Sequence, residues 1–223
     1  RCFEFNNSLS AILNQHMRGY VYWIEITPRK RFARVVLRGV PIHVAEELQE
    51  QVFNKLDRIV MTSATLTTSK GFEFIKERIG YQADEELALD APFDYPNQAL
   101  LYVPDDLPEP SDETEIYVKG ISNRCRELVD ISGGKTFILF TSYALLNQVY
   151  ERLDDMHFQF PLIRQGDMPT GLMIKKFKER PSVIFGTNSF WQGVDVPGDA
   201  LQSVIITKLP FDVPKEPLTE ARI

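Results

Sequence analysis

The stretch SVIFGTNSFWQGVDVPGDALQSVIITKLP, residues 182–210, decides how this sequence folds. Two β-branched apolar runs, SVIFGT and SVIITKL, flank a loop that holds two aromatics, glycines, acids and a proline. Short runs that are apolar throughout fit strands buried on both faces, as a parallel sheet requires. The loop then leaves the sheet at a strand's carboxyl end, where open α/β sheets gather their ligands.

The same alternation extends toward the amino terminus. TFILFTS (136–142) and FPLIRQG (160–166) read as strands, and ALLNQVYERLDDM (144–156) and TGLMIKKFKER (170–180) as helices. Leu145, Leu146, Val149, Tyr150 and Leu153 share one face of the first of these helices. A helix over 112–131 carries Ile116, Ile121, Cys125 and Leu128 on one stripe. Buried strands alternating with amphipathic helices mean βαβ units, an α/β fold with a mainly parallel sheet flanked by helices. Before it, GYVYWIEI and FARVVLRG predict a hairpin over 19–38 around the basic turn TPRKR. VAEELQEQVFNKL (44–56) predicts a helix, DRIVMTSATL a short strand at 57–62 ending in small hydroxylated residues, and GFEFIKERIG a short helix. Residues 82–111 are rich in Pro, Asp and Glu, interrupted by one expected strand, ALLYV. This places a domain connection there: 1–90 as the tail of one domain, 91–223 as a second.

Composition narrows the function. The 223 residues are 43% hydrophobic with 15 Phe, enough for real cores. A net charge of −6 argues against a protein that coats polyanions in bulk, but not against a few local phosphate contacts. Cys2 and Cys125 are the only cysteines, too few for an iron–sulfur cluster, and His16, His43 and His157 show no ligand spacing. No apolar run approaches the roughly 20 residues of a membrane span, and a reduced cytoplasmic chain is expected. The start at Arg1 and the end at TEARI read as a piece of a longer protein.

GGKT, residues 133–136, imitates the tail of a phosphate-binding loop. That motif needs a glycine at 129, where Val129 stands, and a strand-to-helix order. Here a helix precedes and a strand follows, so the glycines read as a helix C-cap. No GxGxxG follows the first parallel strand either, which weighs against a metabolic nucleotide enzyme.

Three expected strand ends share a design: TSATL, FTSY and GTNSFWQGVD. Hydroxyls and free backbone N–H groups at such ends suit phosphate oxygens. Together MTSATL, LFTSY and SFWQGVDVPGDAL, followed by a strand ending in LPF, resemble the DinG type of DNA helicase, in the XPD-like branch of superfamily 2. APFDYPNQ fits as well, and the resemblance runs from about residue 35 to the end. It implies two RecA-like motor domains with ATP and Mg²⁺ between them. The chain would supply the second and the tail of the first.

The resemblance distributes roles. TSATL matches motif III, with Ser63, Ala64 and Thr65 coupling the ATP site to DNA. FTSY matches motif IV, with Thr141 and Ser142 toward the DNA backbone, and Gln165 falls in a further DNA-facing segment. In motif V, Thr187 and Ser189 would face DNA phosphate, and Gln192, Gly193 and Asp195 the ribose and phosphates of ATP. Glycine suits close ligand approach, and a carboxylate suits ribose hydroxyls better than a triphosphate. Phe190, Trp191 and Tyr143 fit either base stacking or packing against the core. Two basic groups, Arg29, Lys30, Arg31 and Arg34, and Lys175, Lys176, Lys178 and Arg180, are either solvated faces or backbone tracks.

The resemblance implies a bacterial, cytoplasmic helicase that translocates 5′→3′ on single-stranded DNA and opens duplexes in repair or replication. The P-loop lysine, the Mg²⁺ acid and the arginine motif of the family are not in these 223 residues, so the chain alone is expected not to hydrolyse ATP. Two alternatives stand beside this reading. One is a non-catalytic nucleic-acid-binding module on a degenerate helicase domain. The other is the helicase-like half of a relative that contains an exonuclease.

Overall fold

The computed structural model describes residues 2–29, 32–109, 115–211 and 216–223. The described residues up to Ala99, joined by those from Glu216 on, make one compact unit; Leu100–Phe211 makes the other.

The first unit begins with a helix, α1 (Cys2–Asn14). A hairpin follows, β1 (Tyr20–Thr27) and β2 (Arg34–Pro41), paired antiparallel from Tyr20 opposite Pro41 to Thr27 opposite Arg34. Its strands match the alternating sequence; of its basic turn, Lys30 and Arg31 lie outside the described residues. Helix α2 (Ala45–Gln51) is shorter than the expected 44–56, because the chain tightens into a 3-10 turn at Phe53–Lys55. The Tyr20 hydroxyl donates to the Glu47 carboxylate and ties α2 to β1. That carboxylate pushes the Tyr20 phenol up to about 12. Helices α3 (Glu73–Ile79) and α4 (Tyr95–Gln98) follow, and α9 (Pro217–Glu220) returns to β1. No described residue of this unit is fully buried.

Two expected strands do not form. Residues 57–62 and 99–103 run without strand pairing, with Val60 88% exposed and Leu100 92% exposed. A strand is stable only where a neighbour takes its backbone hydrogen bonds, and none of the described residues offers these segments one.

The second unit bears out the α/β expectation. Its elements are α5 (Glu115–Ile131), β3 (Lys135–Leu139), α6 (Tyr143–Asp155), β4 (Leu162–Arg164), α7 (Thr170–Glu179), β5 (Ser182–Gly186), α8 (Asn188–Trp191) and β6 (Ser203–Ile206). The strands form one parallel sheet in the order β4-β5-β3-β6. Side chains of a strand alternate between faces, and the core divides accordingly. Ile138, Phe140, Val183 and Phe185 pack under α5 and α6. Phe137, Leu139, Ile163 and Ile184 pack under α7 and Phe190. The stripe of α5 is shifted in part from the expected one: Ile121 and Cys125 are buried as expected, but Ile116 is 73% exposed and Leu128 half-buried, whereas Tyr117, Val118 and Val129 are buried. The Tyr117 hydroxyl, which donates to the Thr207 carbonyl at 2.6 Å, fixes that shift.

The GGKT segment closes α5 as a helix-to-strand turn. Gly133 and Gly134 take φ of 63° and 83°, and the Gly134 N–H donates to the Val129 carbonyl at 3.0 Å. A Cβ on Gly134 would come within 2.4 Å of the Phe160 ring. Gly134→Ala therefore combines left-handed strain with overpacking and is expected to cost about 2–3 kcal/mol. Thermal unfolding checks this, and an unchanged midpoint contradicts it.

Burial also sets the chemistry of the cysteines. Cys2 is exposed, whereas burial pushes the Cys125 thiol up to about 12. The thiolate is the nucleophile, so iodoacetamide at neutral pH should label Cys2 and spare Cys125 until the protein is unfolded. Equal labelling of both in the folded protein contradicts the packing of α5.

Candidate functional site

The site is built at the carboxyl ends of β3, β4 and β5. The sheet's hydrogen bonding runs past the strands' ends: the Phe140 N–H donates to the Gly186 carbonyl at 2.9 Å and the Gln165 N–H to the Phe185 carbonyl at 3.0 Å. These bonds bring Thr141, Ser142, Gln165 and Thr187 to one edge of the sheet. Ser142 is extended (φ −137°, ψ 148°) and its Oγ accepts the Leu145 N–H at 3.1 Å, so it caps α6.

Gln165 is the centre of this edge. Its Oε1 accepts the Thr187 N–H at 2.6 Å and the Thr187 hydroxyl at 3.1 Å. Its Nε2 donates to the Tyr143 hydroxyl and to Ser189 Oγ, each at 2.8 Å. One carboxamide thus joins the segment after β3 to the loop after β5. Thr187 is buried, while Tyr143 and Ser189 are exposed.

Both aromatics of the loop turn inward. Phe190 is 4% exposed, and a Cβ on Gly186 would meet it at 2.6 Å, so glycine there makes room for the ring. Trp191 donates its Nε1–H to the Phe140 carbonyl at 3.2 Å. The two rings therefore lock the loop to the sheet. Tyr143, 52% exposed, is the aromatic that presents its ring to solvent here.

Beyond Trp191 the loop turns outward. Gln192, Gly193 and Asp195 are exposed. Gly193 has φ of 74° with no atom within 4 Å of where a Cβ would stand, so its backbone is open to close approach. The Asp195 carbonyl accepts Lys178 Nζ at 3.5 Å, and its carboxylate has no partner among the described residues. Asp199 closes the loop by pairing with Lys135 and accepting from Gln202. Lys135 first, then Gln202, holds the Asp199 carboxyl below the usual range. A depressed carboxylate keeps its tie above the ordinary aspartate range and loosens it as pH falls through the folded value.

The sites expected from sequence fall in both units. Ser63, Ala64 and Thr65 lie in the first unit as an exposed turn, with the Thr65 N–H donating to Ser63 Oγ at 3.2 Å. Gln192, Gly193 and Asp195 lie in the second. Arg29 and Arg34, and Lys175, Lys176, Lys178 and Arg180, are exposed. Among the described residues no three His, Cys, Asp or Glu side chains gather as a metal site requires. No helix among them is long and apolar enough to cross a membrane.

Residues 125–223 match the family model described as the helicase C-terminal domain. Over these residues and beyond them, the chain is similar to the C-terminal portion of DinG-type helicases. Relatives extend the likeness over its whole length. The ATP-dependent DNA helicase YoaA of Escherichia coli is 32% identical over 100% of this chain and 34% of the relative. The ATP-dependent helicase DinG of Mycobacterium tuberculosis is 36% identical over 92% of this chain and 31% of the relative. The 3'-5' exonuclease DinG of Bacillus subtilis is 31% identical over 90% of this chain and 22% of the relative. The chain therefore spans about a third or less of these proteins. In the second unit the parallel pairing of β3 with β5 positions FTSY and TNSFWQGVD side by side.

Trp191→Phe keeps an aromatic ring but leaves the Phe140 carbonyl without its donor. The expected loss is about 1–2 kcal/mol of stability in denaturant unfolding followed by circular dichroism. Wild-type stability in that variant contradicts the packing role.

Proposed function

We propose that the parent protein is an ATP-dependent DNA helicase that translocates on single-stranded DNA and unwinds duplexes, and that this chain supplies one wall of its motor. One observation carries the reading: a single segment leaves β5 with a hydroxyl-bearing start at the sheet edge and an open Gly193–Asp195 turn a few residues on. The names of the relatives support it.

On this reading Thr141, Ser142, Gln165 and Ser189 form the DNA side, with Thr187 buried and bonded to Gln165. Gln192, Gly193 and Asp195 form the ATP side. Ser63, Ala64 and Thr65, in the first unit, keep the coupling role of motif III. The residues present fit the ribose end of a nucleotide better than its phosphates. Gly193 leaves its backbone approachable, and the unpaired Asp195 carboxylate can accept from hydroxyls but repels a triphosphate. ATP, when bound, supplies the phosphoryl-transfer free energy. The lysine that grips its phosphates, the acid for Mg²⁺ and the arginine finger belong to parts of the parent outside this sequence, and the first motor domain is this chain's principal partner. Single-stranded DNA and duplex junctions are the substrates, held mainly through phosphates and so weakly by sequence. Translocation runs 5′→3′, in the cytoplasm of a bacterium, in the service of repair or replication. The name of the Bacillus subtilis relative favours a second reading, in which the parent also carries an exonuclease domain.

The full-length protein is expected to hydrolyse ATP in a DNA-stimulated manner. Asp195→Ala should lower that rate by about tenfold or more, the scale of losing a hydrogen bond to a charged group, with the fold intact by circular dichroism. Near-wild-type turnover would remove Asp195 from the nucleotide site.

A further inference from the structure

We propose that Gln165 is a positioning residue that fixes the direction of two exposed hydroxyl donors, Tyr143 and Ser189, toward an anionic oxygen of a nucleic-acid backbone. The inference rests on the helicase reading above and adds to it how the site grips a phosphate.

Thr187 fixes the orientation of the Gln165 carboxamide. Its backbone N–H can only donate, so the group 2.6 Å away must be the amide oxygen of Gln165 and not its nitrogen. That settles which way the carboxamide lies. Oε1 also takes the Thr187 hydroxyl hydrogen, which fills its two acceptor positions. Nε2 then spends both of its hydrogens on the oxygens of Tyr143 and Ser189. An amide nitrogen cannot accept, so neither hydroxyl can point its own hydrogen inward at Gln165. Neither hydrogen has another acceptor among the described residues. Both remain to be donated outward, from two exposed side chains anchored to the same nitrogen.

The consequence is a pair of donors with a set polarity. A free serine or tyrosine hydroxyl rotates and can either donate or accept, and rotation favours no particular ligand charge. Here the amide has removed that choice before any ligand arrives, as preorganised sites do. A phosphate oxygen is an acceptor only and fits such a pair. Thr187 has the opposite fate. It is buried, and its hydroxyl hydrogen is committed to Gln165, so it holds the amide in place. The outward contacts fall to Ser189 and to Tyr143. The burial of Phe190 and the bond from half-buried Trp191 to the Phe140 carbonyl agree with this division, because the loop's aromatics anchor the backbone that carries Ser189.

Gln165→Glu tests the polarity directly. It conserves shape but replaces two donors with an acceptor, so the Tyr143 and Ser189 hydroxyls turn inward and a negative charge is added beneath them. Binding of the full-length protein to a fluorescently labelled oligothymidylate is measured by anisotropy at fixed salt. Tyr143→Phe should weaken it about 3- to 10-fold, and Gln165→Glu by more than about 10-fold, the scale of hydrogen bonds to charged groups. The double variant should bind as Gln165→Glu does, because the hydroxyl it loses was already turned away. Wild-type binding by Tyr143→Phe, or additive losses in the double variant, overturns the proposal. Tyr143 is exposed, so its variant keeps the test open if Gln165→Glu unfolds in the thermal melt run beside it. Failure of the unmodified full-length protein to bind the oligonucleotide overturns the helicase reading itself, and this outcome is distinct from both of the others.

Discussion

All five residues of β5 are buried, and the rest of the second unit follows from that constraint. A strand covered on both faces and paired on both edges has no freedom to slip, because any shift strands backbone groups and moves side chains into the wrong layer. The chain must therefore leave the sheet at one fixed place. The bonds from Phe140 to Gly186 and from Gln165 to Phe185 carry that fixity past the strand ends. Gly186, lacking a side chain, lets Phe190 fold back over the exit, and Trp191 ties the loop to the neighbouring strand's end. A loop that would otherwise wander begins from a rigid frame.

On that frame the chemistry is local. The chain as a whole is acidic, with a net charge of −6, so attraction of a nucleic acid cannot come from bulk charge. On the proposed reading it comes from the direction of a few donors at a sheet edge. Gln165 matters because one carboxamide serves segments 22 and 24 residues away along the chain and leaves their hydroxyls facing outward. The downstream part of the same loop has the opposite character: open backbone at Gly193 and an unpaired carboxylate at Asp195, closed off by the Lys135–Asp199 pair. The two faces are separated by one short helix, α8, whose aromatics point into the core. A displacement of either face has little slack through which to dissipate before it reaches the other.

Much of this was legible in the sequence, for a physical reason. Strands buried on both faces must be apolar throughout, so TFILF, SVIFG and SVII announced themselves, and the inward stripe Leu145, Leu146, Val149 and Leu153 followed the helical period. The stripe of α5 is legible only in part: Ile121 and Cys125 are buried as expected, but Ile116 is exposed and Leu128 half-buried, while Tyr117, Val118 and Val129 fit the same period and take the core positions. What chose between them was a long-range bond from Tyr117 to Thr207. MTSATL and ALLYV have strand-like composition, but pairing partners decide strands and composition does not name them. Helix α1 was missed because its apolar residues, among them Phe3, Phe5 and Leu13, stay exposed and mark no core-facing stripe. The Gln165 network was invisible for the same reason as the Tyr117 bond. A glutamine after a strand is unremarkable until the fold sets a serine, a threonine and a tyrosine around it.

On the proposed reading one loop, rooted at the end of β5, serves a nucleic-acid face and a nucleotide face together. Two ligands that share such a wall must influence each other's affinity reciprocally. The most direct measurement is the affinity of the full-length protein for an oligothymidylate with and without a non-hydrolysable ATP analogue. The account predicts a change of about 5-fold or more, the usual lower scale of coupling between linked sites. Identical affinities at saturating analogue, with binding of both ligands demonstrated separately, would contradict it.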